Sequence, residues 1–279
     1  MASRPDKPSR PGKSSRPGKS SRPALGPTLA VAALAATLAS LASPARAEAP
    51  VVVELFTSQG CSSCPPADAF LGELAEKPGI VALAFHVGYW DYIGWKDPFA
   101  KPWSVARQRG YTAALDARYL YTPEIVVDGR ADLPGTERTG IDKLIAAEQK
   151  ARKIPVTLAE SSKDKYSVAI PAAAVKGPAT VWLAVYDHKH TTAVARGENE
   201  GRTLTDYNVV RQWRAIGRYD GKALTIPFDP SAAKAAAASA TAPAPDATTS
   251  QGVAVLIQAD DKPGDGHGPI LGAASMKLN

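Results

Sequence analysis

The sequence predicts an α/β segment followed by a β-rich segment. Between residues 48 and 154, apolar runs of strand length alternate with amphipathic helical stretches, which favours a sheet with helices on both faces. Between residues 155 and 279, short β-branched and aromatic runs are separated by turn residues, a spacing typical of an antiparallel sheet or sandwich. Two cysteines directly follow the first apolar run, so we expect the functional site at the end of that strand.

Residues 1–47 have the pattern of a secretory signal peptide. A basic, proline-rich stretch is followed by the apolar run Leu25–Ala42 and by Ala45-Arg46-Ala47, a small-x-small cleavage pattern. The alternative is a membrane anchor, but Gly26-Pro27 interrupts a run that is already near the lower length limit for a span. We therefore expect cleavage near Ala47 and a periplasmic or secreted protein with no stable membrane span.

The leader also carries the positive charge of the chain. The whole chain has 33 basic and 27 acidic residues, a net charge of +6. Residues 1–47 contain eight basic residues and one acidic residue, so 25 basic and 26 acidic residues remain after cleavage. A net charge of −1 gives no support to a nucleic-acid or anionic-membrane surface, and we expect no nucleic-acid partner.

The pattern of the α/β segment predicts the order β-α-β-α-β-α. Continuous apolar runs indicate buried strands, and apolar residues at helical spacing indicate amphipathic helices. The predicted elements are the strands Val51–Phe56, Ile80–His86 and Glu124–Val127 and the helices Asp68–Glu76, Trp103–Leu115 and Thr139–Lys153.

Five short runs in the β-rich segment have strand character. Between the last two lies a stretch of Ala, Thr, Ser and Pro at about 231–250, which we expect to form a flexible insertion. The five runs are Val156–Leu158, Tyr166–Ile170, Val181–Tyr186, Ala223–Ile226 and Val253–Ile257.

The motif Cys61-Ser62-Ser63-Cys64 holds the only two cysteines of the 279 residues. A two-residue spacer lets both sulfurs meet, and an exported chain without other thiols favours dithiol–disulfide chemistry. No zinc site is expected, because two thiols lack a second cysteine pair or a nearby histidine pair. A structural disulfide that only braces a tight loop is the alternative.

A proline stands directly before the third predicted strand. Pro123 precedes Glu124–Val127, a position where the missing N–H of proline is not needed. Its pairing with the two cysteines resembles the thioredoxin superfamily, in which a cis-proline faces such a motif. This resemblance implies a cis bond between Thr122 and Pro123.

Further motifs narrow the resemblance. They are Glu54–Asp68, His86–Phe99, Arg107-Gln108, Tyr121–Pro123, Gly197–Asn199 and Asn208–Val210. Together they are similar to the secreted, thioredoxin-like family called domain of unknown function 1223. The similarity covers nearly all of the chain after the leader, and it implies a fold without an established reaction.

Thiol–disulfide chemistry gives the cysteines and the proline distinct expected roles. Cys61 is the expected nucleophile, because amides at a helix N-terminus stabilise a thiolate, and Cys64 is the expected resolving thiol. Pro123 is expected to present the backbone of a partner. Pro65-Pro66 disfavours helical geometry at the preceding residue, so we expect a late helix start, with the amides of Ser63 and Cys64 near the Cys61 sulfur.

Five other residues are candidates for the site. Glu54 interrupts an apolar strand, so it is either buried and exchanges protons with Cys64 or lies at a solvent-exposed edge. The aromatic block His86–Phe99 either walls a substrate site or packs the loop. The candidate substrate-binding residues are His86, Trp90, Tyr121 and Thr122.

The turn Gly197–Gly201 leaves two interpretations open. Its residues Glu198 and Asn199, with Arg211, either frame a polar pocket or satisfy the backbone of the loop.

The sequence thus predicts an exported thiol–disulfide oxidoreductase that needs no cofactor. Its expected partners are protein thiols or disulfides, or a redox partner protein. A binding or assembly module with a structural disulfide is the first alternative, and a metallochaperone that uses the two thiols and a histidine is the second.

Overall fold

The computed structural model describes residues 49–162, 165–230, 250–260 and 265–278. The predicted signal peptide at 1–47 and the predicted insertion at 231–250, apart from Ser250, lie outside the described residues. Within the described part, no helix has both the length and the apolar character needed to cross a membrane.

Eleven strands and three α-helices are assigned within the described residues. The first part of the chain contains β1 (Val51–Thr57), α1 (Pro65–Ala75), β2 (Ile80–His86), α2 (Pro102–Ala114), β3 (Glu124–Val127), β4 (Ala131–Pro134) and α3 (Arg138–Glu148). The second part contains β5 (Thr157–Ser162), β6 (Lys165–Ile170), β7 (Ala179–Ala193), β8 (Thr203–Tyr219), β9 (Leu224–Phe228), β10 (Gln251–Ala259) and β11 (Ile270–Lys277).

The strands form one large mixed sheet and one small antiparallel sheet. The large sheet has eight strands in the order β11-β10-β7-β8-β2-β1-β3-β4, and the small sheet has the order β5-β6-β9. Strand β1 runs parallel to β2 and antiparallel to β3, and β2 runs parallel to β8. The buried strand β1 therefore lies inside the sheet, with its carboxyl end directed toward the cysteines.

The β-rich part differs from the expectation of a sheet or sandwich of its own. Strands β7, β8, β10 and β11 extend the sheet begun by the α/β segment, and only three strands form a separate sheet. Strand β8 was missed because polar residues such as Asp206 and Asn208 interrupt its apolar pattern, although both are buried. Whether residues 48–154 fold independently stays a prediction.

Both faces of the large sheet carry apolar cores. Successive strand residues point to opposite faces, so Val52 and Phe56 of β1 face a core that includes Tyr111 of α2, whereas Val53 faces α1 and α3. On β10, Leu256 belongs to the first core and Val255 packs toward the small sheet. Helices α1 and α3 and the small sheet thus cover one face, and α2 covers the other.

Helix α1 begins earlier than the sequence predicted. It starts at Pro65, with Cys64 as its N-cap in right-handed helical geometry. Proline is favoured in the first turn of a helix, where its missing N–H would be unpaired in any case. The amides of Ala67 and Asp68 both donate to the Cys64 carbonyl, at 2.8 and 3.1 Å, and these bonds hold the helix start directly after the second cysteine.

A buried ion pair fixes α2 against the centre of the sheet. Arg107 of α2 donates to both carboxylate oxygens of Glu54 on β1, at 2.7 and 2.9 Å. Tyr111 also donates to this carboxylate, and Gln258 of β10 accepts from Arg107 at 3.0 Å. The Arg107 guanidinium lies 4.0 Å from the ring centroid of Trp213 on β8, so one side chain joins four elements of the fold.

We expect Arg107→Met to lower the free energy of unfolding by about 3–5 kcal/mol, because it leaves the buried Glu54 carboxylate without its cation. The double variant Glu54→Leu/Arg107→Met should recover most of this loss, since it removes both charges. Urea unfolding followed by far-ultraviolet circular dichroism measures the two values. Equal losses in the single and double variants would contradict this account of the ion pair.

Candidate functional site

The two cysteines form a disulfide between the end of β1 and the start of α1. The Cys61–Cys64 bond spans a Cα–Cα distance of 5.5 Å. Cys61 is 2% exposed and Cys64 is fully buried, whereas Ser62 and Ser63 between them are exposed. The Ser63 hydroxyl lies 3.3 Å from the Cys61 sulfur. The disulfide is therefore close to the surface but shielded from solvent.

The amides of Ser62 and Cys64 donate to oxygen atoms rather than to the Cys61 sulfur. The sequence placed the amides of Ser63 and Cys64 near the Cys61 sulfur, but the Cys64 amide donates to the Cys61 carbonyl at 3.3 Å. The Ser62 amide donates to the Glu198 carboxylate at 3.2 Å. In this disulfide form, the polar side chain within hydrogen-bond distance of the Cys61 sulfur is the Ser63 hydroxyl.

The turn between β7 and β8 covers the cysteine loop. The Asn199 side chain is fully buried and donates to the carbonyls of Gln59 and Cys61, both at 2.9 Å. Of the two interpretations left open by the sequence, this contact supports satisfaction of the loop backbone. The Arg211 guanidinium donates to the Asp187 carboxylate at 2.5 Å.

Pro123 lies beside the first turn of α1, and the Thr122–Pro123 bond is cis, as the resemblance implied. A Cβ added at Gly135 would come within 2.7 Å of the Ala67 Cβ and 3.1 Å of the Pro123 Cβ. The proline ring and α1 therefore meet at a position where only glycine fits between them. The Pro123 carbonyl accepts the Gly135 amide at 2.8 Å.

Trp90 connects the proline segment to the cysteine loop. Its indole N–H donates to the Thr122 hydroxyl at 2.7 Å, and its Cβ would lie 3.1 Å from a Cβ added at Gly60, the residue before Cys61. Trp90 and Thr122 are both half-buried. Tyr121 is also half-buried, and its hydroxyl donates to Asp132 at 2.7 Å.

The aromatic block contains both packed and exposed side chains, and its role as the wall of a substrate site stays a prediction. Phe99 is buried and Trp95 donates to the Gln59 side chain at 3.1 Å, so both pack the loop. Tyr92, in the short 3-10 turn Asp91–Ile93, is 80% exposed. Tyr92 is therefore the most exposed aromatic side chain of this block, and Phe99 is buried.

His86 lies inside the protein and is paired with a buried carboxylate. Its side chain is fully buried at the end of β2, and its Nδ1 lies 2.8 Å from Asp97. Burial alone would lower the pKa of His86, but the charge of Asp97 and this hydrogen bond outweigh it and raise the pKa to about 9. Asp97 also accepts the Gln59 amide at 2.8 Å, so the pair holds the loop before Cys61.

Two further buried carboxyl groups lie beside His86. Asp68 of α1 stands one turn after Cys64, and Asp206 of β8 lies 3.9 Å from the His86 Nε2. The side-chain amide of Gln59 donates to Asp206 at 2.7 Å. Burial and the neighbouring Asp206 carboxylate raise the pKa of Asp68 to about 8, so this carboxyl is protonated at neutral pH.

Glu54 is buried, so the alternative that it lies at a solvent-exposed strand edge is wrong. Its carboxylate is hydrogen-bonded to Arg107 and not to the cysteines. Its proposed proton exchange with Cys64 therefore has no contact to support it.

Asp68 is the buried carboxyl on the helix that Cys64 caps. It follows Cys64 by four residues, a spacing that places the Cys64 and Asp68 side chains on one face of the helix. This spacing is the signal that could have identified Asp68 from the sequence.

No group of three or more His, Cys, Asp or Glu side chains with the arrangement of a metal site is present among the described residues. The site is thus assembled from the disulfide, the proline segment, the covering turn and a buried acidic network.

The comparisons with known proteins give one family and two similar solved structures. A search of the curated proteins found no match. The X-ray crystal structure of protein AGR_C_4864 from Agrobacterium tumefaciens is similar, with 33% sequence identity and a TM-score of 0.67, over 82% of this chain and 95% of that one. HBP35 of Porphyromonas gingivalis is similar in fold alone, with 12% identity and a TM-score of 0.51, over 83% of this chain and 76% of that one.

The family described as "Protein of unknown function (DUF1223)" matches residues 52–258. This range runs from β1 to β10 and includes the disulfide, the proline segment and the covering turn. With more than half of the sequence matched, the chain belongs to the DUF1223 family.

Proposed function

We propose that this protein is an exported thiol–disulfide oxidoreductase with a thioredoxin-like first half. The observation that carries the proposal is that its only two cysteines form a disulfide across two residues, at the junction of a buried strand and a helix, beside the Pro123 segment. The order β2-β1-β3-β4, with α1 and α3 on one face and α2 on the other, supports the thioredoxin-like assignment. Export rests on the leader pattern at 1–47.

The exchange reaction needs one sulfur to be attacked and the other to leave. In the direction that oxidises a partner, a partner thiolate attacks Cys61, the Cys61–Cys64 bond breaks, and Cys64 leaves with the electron pair as a thiolate. A second partner thiolate then attacks the mixed disulfide and releases Cys61 as a thiolate. The partner gains a disulfide and the Cys61–Cys64 pair gains two electrons, and the reverse sequence reduces a partner.

Asp68 is the group that we assign to proton transfer with Cys64. A thiolate that leaves into a buried site is unfavourable unless it takes up a proton, and the protonated Asp68 carboxyl can supply one. In the reverse direction, ionised Asp68 can accept the proton of the Cys64 thiol before that sulfur attacks. A pKa of about 8 suits both steps near neutral pH.

The proline segment is the part that we assign to partner binding. The Pro123 carbonyl is already bonded to Gly135, so the backbone of Thr122 is the proposed site of β-type pairing with an extended partner. Trp90 holds the Thr122 side chain, and its half-buried ring would line the same site. Trp90, Tyr121 and Thr122 thus remain proposed substrate-binding residues.

One observation favours a second candidate, a binding or assembly module with a structural disulfide. Both cysteines are at most 2% exposed, and inert cysteines are typically buried. Titration against glutathione buffers separates the two functions. A reduction potential below about −300 mV with no mixed disulfide would favour the binding module.

The direct test of the oxidoreductase uses the two cysteines separately. We expect Cys61→Ser to abolish reduction of a test peptide disulfide, because it removes the attacking sulfur. We expect Cys64→Ala to trap a mixed disulfide at Cys61, seen as added mass under non-reducing conditions. Wild-type protein with alkylated thiols is the inactive control, and undiminished activity of Cys61→Ser would refute the proposal.

The role of Asp68 is tested by the pH dependence of mixed-disulfide resolution. In the wild type, the rate should rise with pH through about 8 as Asp68 ionises and becomes a base. Asp68→Asn should slow resolution about 100-fold and remove this limb of the profile. The matched control is Glu73→Gln, an exposed acid on the same helix. A profile unchanged in Asp68→Asn would mean that another group moves the proton.

A further inference from the structure

The turn between β7 and β8 lies on the backbone of the cysteine loop and bears on how a partner thiolate reaches the buried disulfide. Exchange requires an attacking thiolate to reach a sulfur, yet Cys61 is 2% exposed although its neighbours Ser62 and Ser63 are exposed. Within the described residues, the turn Val194–Arg202 makes the side-chain contacts to the loop backbone from outside the loop at residues 61 and 62. This turn is therefore the element whose displacement would release the backbone of residues 61 and 62.

Asn199 and Glu198, the two side chains of the turn that contact the cysteine loop, differ in charge and in burial. Asn199 is neutral and buried, and its side-chain amide donates to the backbone carbonyls of Gln59 and Cys61. Glu198 is exposed and charged, and it occupies the Ser62 amide, the first N–H after the cysteine. The first contact holds the turn on the loop backbone, and the second places a negative charge at the amide of the residue that follows Cys61.

We infer that the turn Val194–Arg202 is a built-in inhibitor of the Cys61–Cys64 pair, in which Asn199 closes access to the disulfide and Glu198 is a positioning residue that suppresses the Cys61 thiolate. The inference rests on the proposed function for its biological meaning. It specifies the regulation of that site: a partner must displace the turn before exchange begins.

The electrostatic part follows from where the charge lies. A carboxylate near a thiol disfavours the thiolate, because like charges repel, and so raises the pKa of the thiol. Glu198 also removes the Ser62 N–H from the donors available to a thiolate at Cys61. Displacing Glu198 would reverse both effects together, lowering the thiol pKa and freeing a loop amide.

Other charged groups around the loop have partners of their own. The Arg202 guanidinium, on the same turn, donates to the side-chain amide oxygen of Asn199 at 2.7 Å. Asp97, from the aromatic block, is paired with His86, and Asp68, from α1, is held protonated at neutral pH. Among the described residues, Glu198 is the charged side chain that accepts a hydrogen bond from a backbone amide of residues 61–64.

Two glycines bracket the side chains of the turn that contact the cysteine loop. Gly197 and Gly201 bracket Glu198 and Asn199, with φ angles of +82° and +76°. Glycine adopts this region without the steric cost that other residues meet. Gly197 packs against Trp95, where an added Cβ would lie 3.2 Å from the Trp95 Cβ. The turn is thus held by a close contact at one glycine and by hydrogen bonds at its centre.

The test measures the Cys61 thiol in a Cys64→Ala background, so that a single sulfur titrates. The pH dependence of alkylation by iodoacetamide gives its pKa. We expect Glu198→Gln to lower this pKa by about 0.5–1 unit and to speed alkylation at pH 7 by about threefold or more. The matched control is Glu200→Gln, which makes the same charge change on an exposed residue of the same turn. Equal effects of the two substitutions, or none, would overturn the electrostatic part.

Closure is tested in the oxidised, full-length protein. We expect Asn199→Ala to speed reduction of the disulfide by dithiothreitol about tenfold or more, because it removes the two bonds that hold the turn on the loop. An unchanged rate in a folded Asn199→Ala protein would overturn closure by the turn. If Asn199→Ala does not fold, Asn199→Ser, which keeps a hydroxyl donor, takes its place in the same measurement.

These results separate the inference from the proposed function. Thiol pKa and reduction by dithiothreitol need no biological partner. A shifted pKa without any catalysed exchange would leave the turn contacts in place and count against the oxidoreductase. Catalysed exchange that is insensitive to Glu198→Gln and Asn199→Ala would count against the turn alone.

Discussion

The carboxylate of Asp97 is the interaction on which the site depends. It accepts the Gln59 amide before Cys61, the Phe99 amide of the aromatic block, and pairs with His86 at the end of β2. Burial would raise the pKa of Asp97, but the His86 cation outweighs it and keeps the pKa below its usual value. This ionised, buried carboxylate thus joins the loop before Cys61, the end of β2 and the aromatic block.

The sequence was sufficient to predict β1, β2 and β3 and the cysteine site at the end of β1. Buried strands with continuous apolar runs leave a strong local signal, and Ile80–His86 and Glu124–Val127 agree with their predicted bounds. The partners of those strands were not predictable. Strand β8 pairs with β2 across more than a hundred residues, and its buried Asp206 looks like a surface residue until that pairing is known.

The polar residues of the site were hidden for the same reason. Asp68, Asp97 and Asp206 come from a helix, a loop and a distant strand, and each has ordinary neighbours in the sequence. Their meaning arises from burial around His86, where a charge must be paired or neutralised. The protein does both: Asp97 is paired with His86, and burial raises the pKa of Asp68 and Asp206.

The single long strand β8 has a consequence for how this protein can vary. It supplies β2 with its outer neighbour, and its Asn208 side chain donates to the Ala82 carbonyl at 2.8 Å. A chain that ended near residue 154 would present β2 as a bare strand edge, a ready template for pairing with other chains. The second half therefore shields the outer edge of β2 from pairing with other chains.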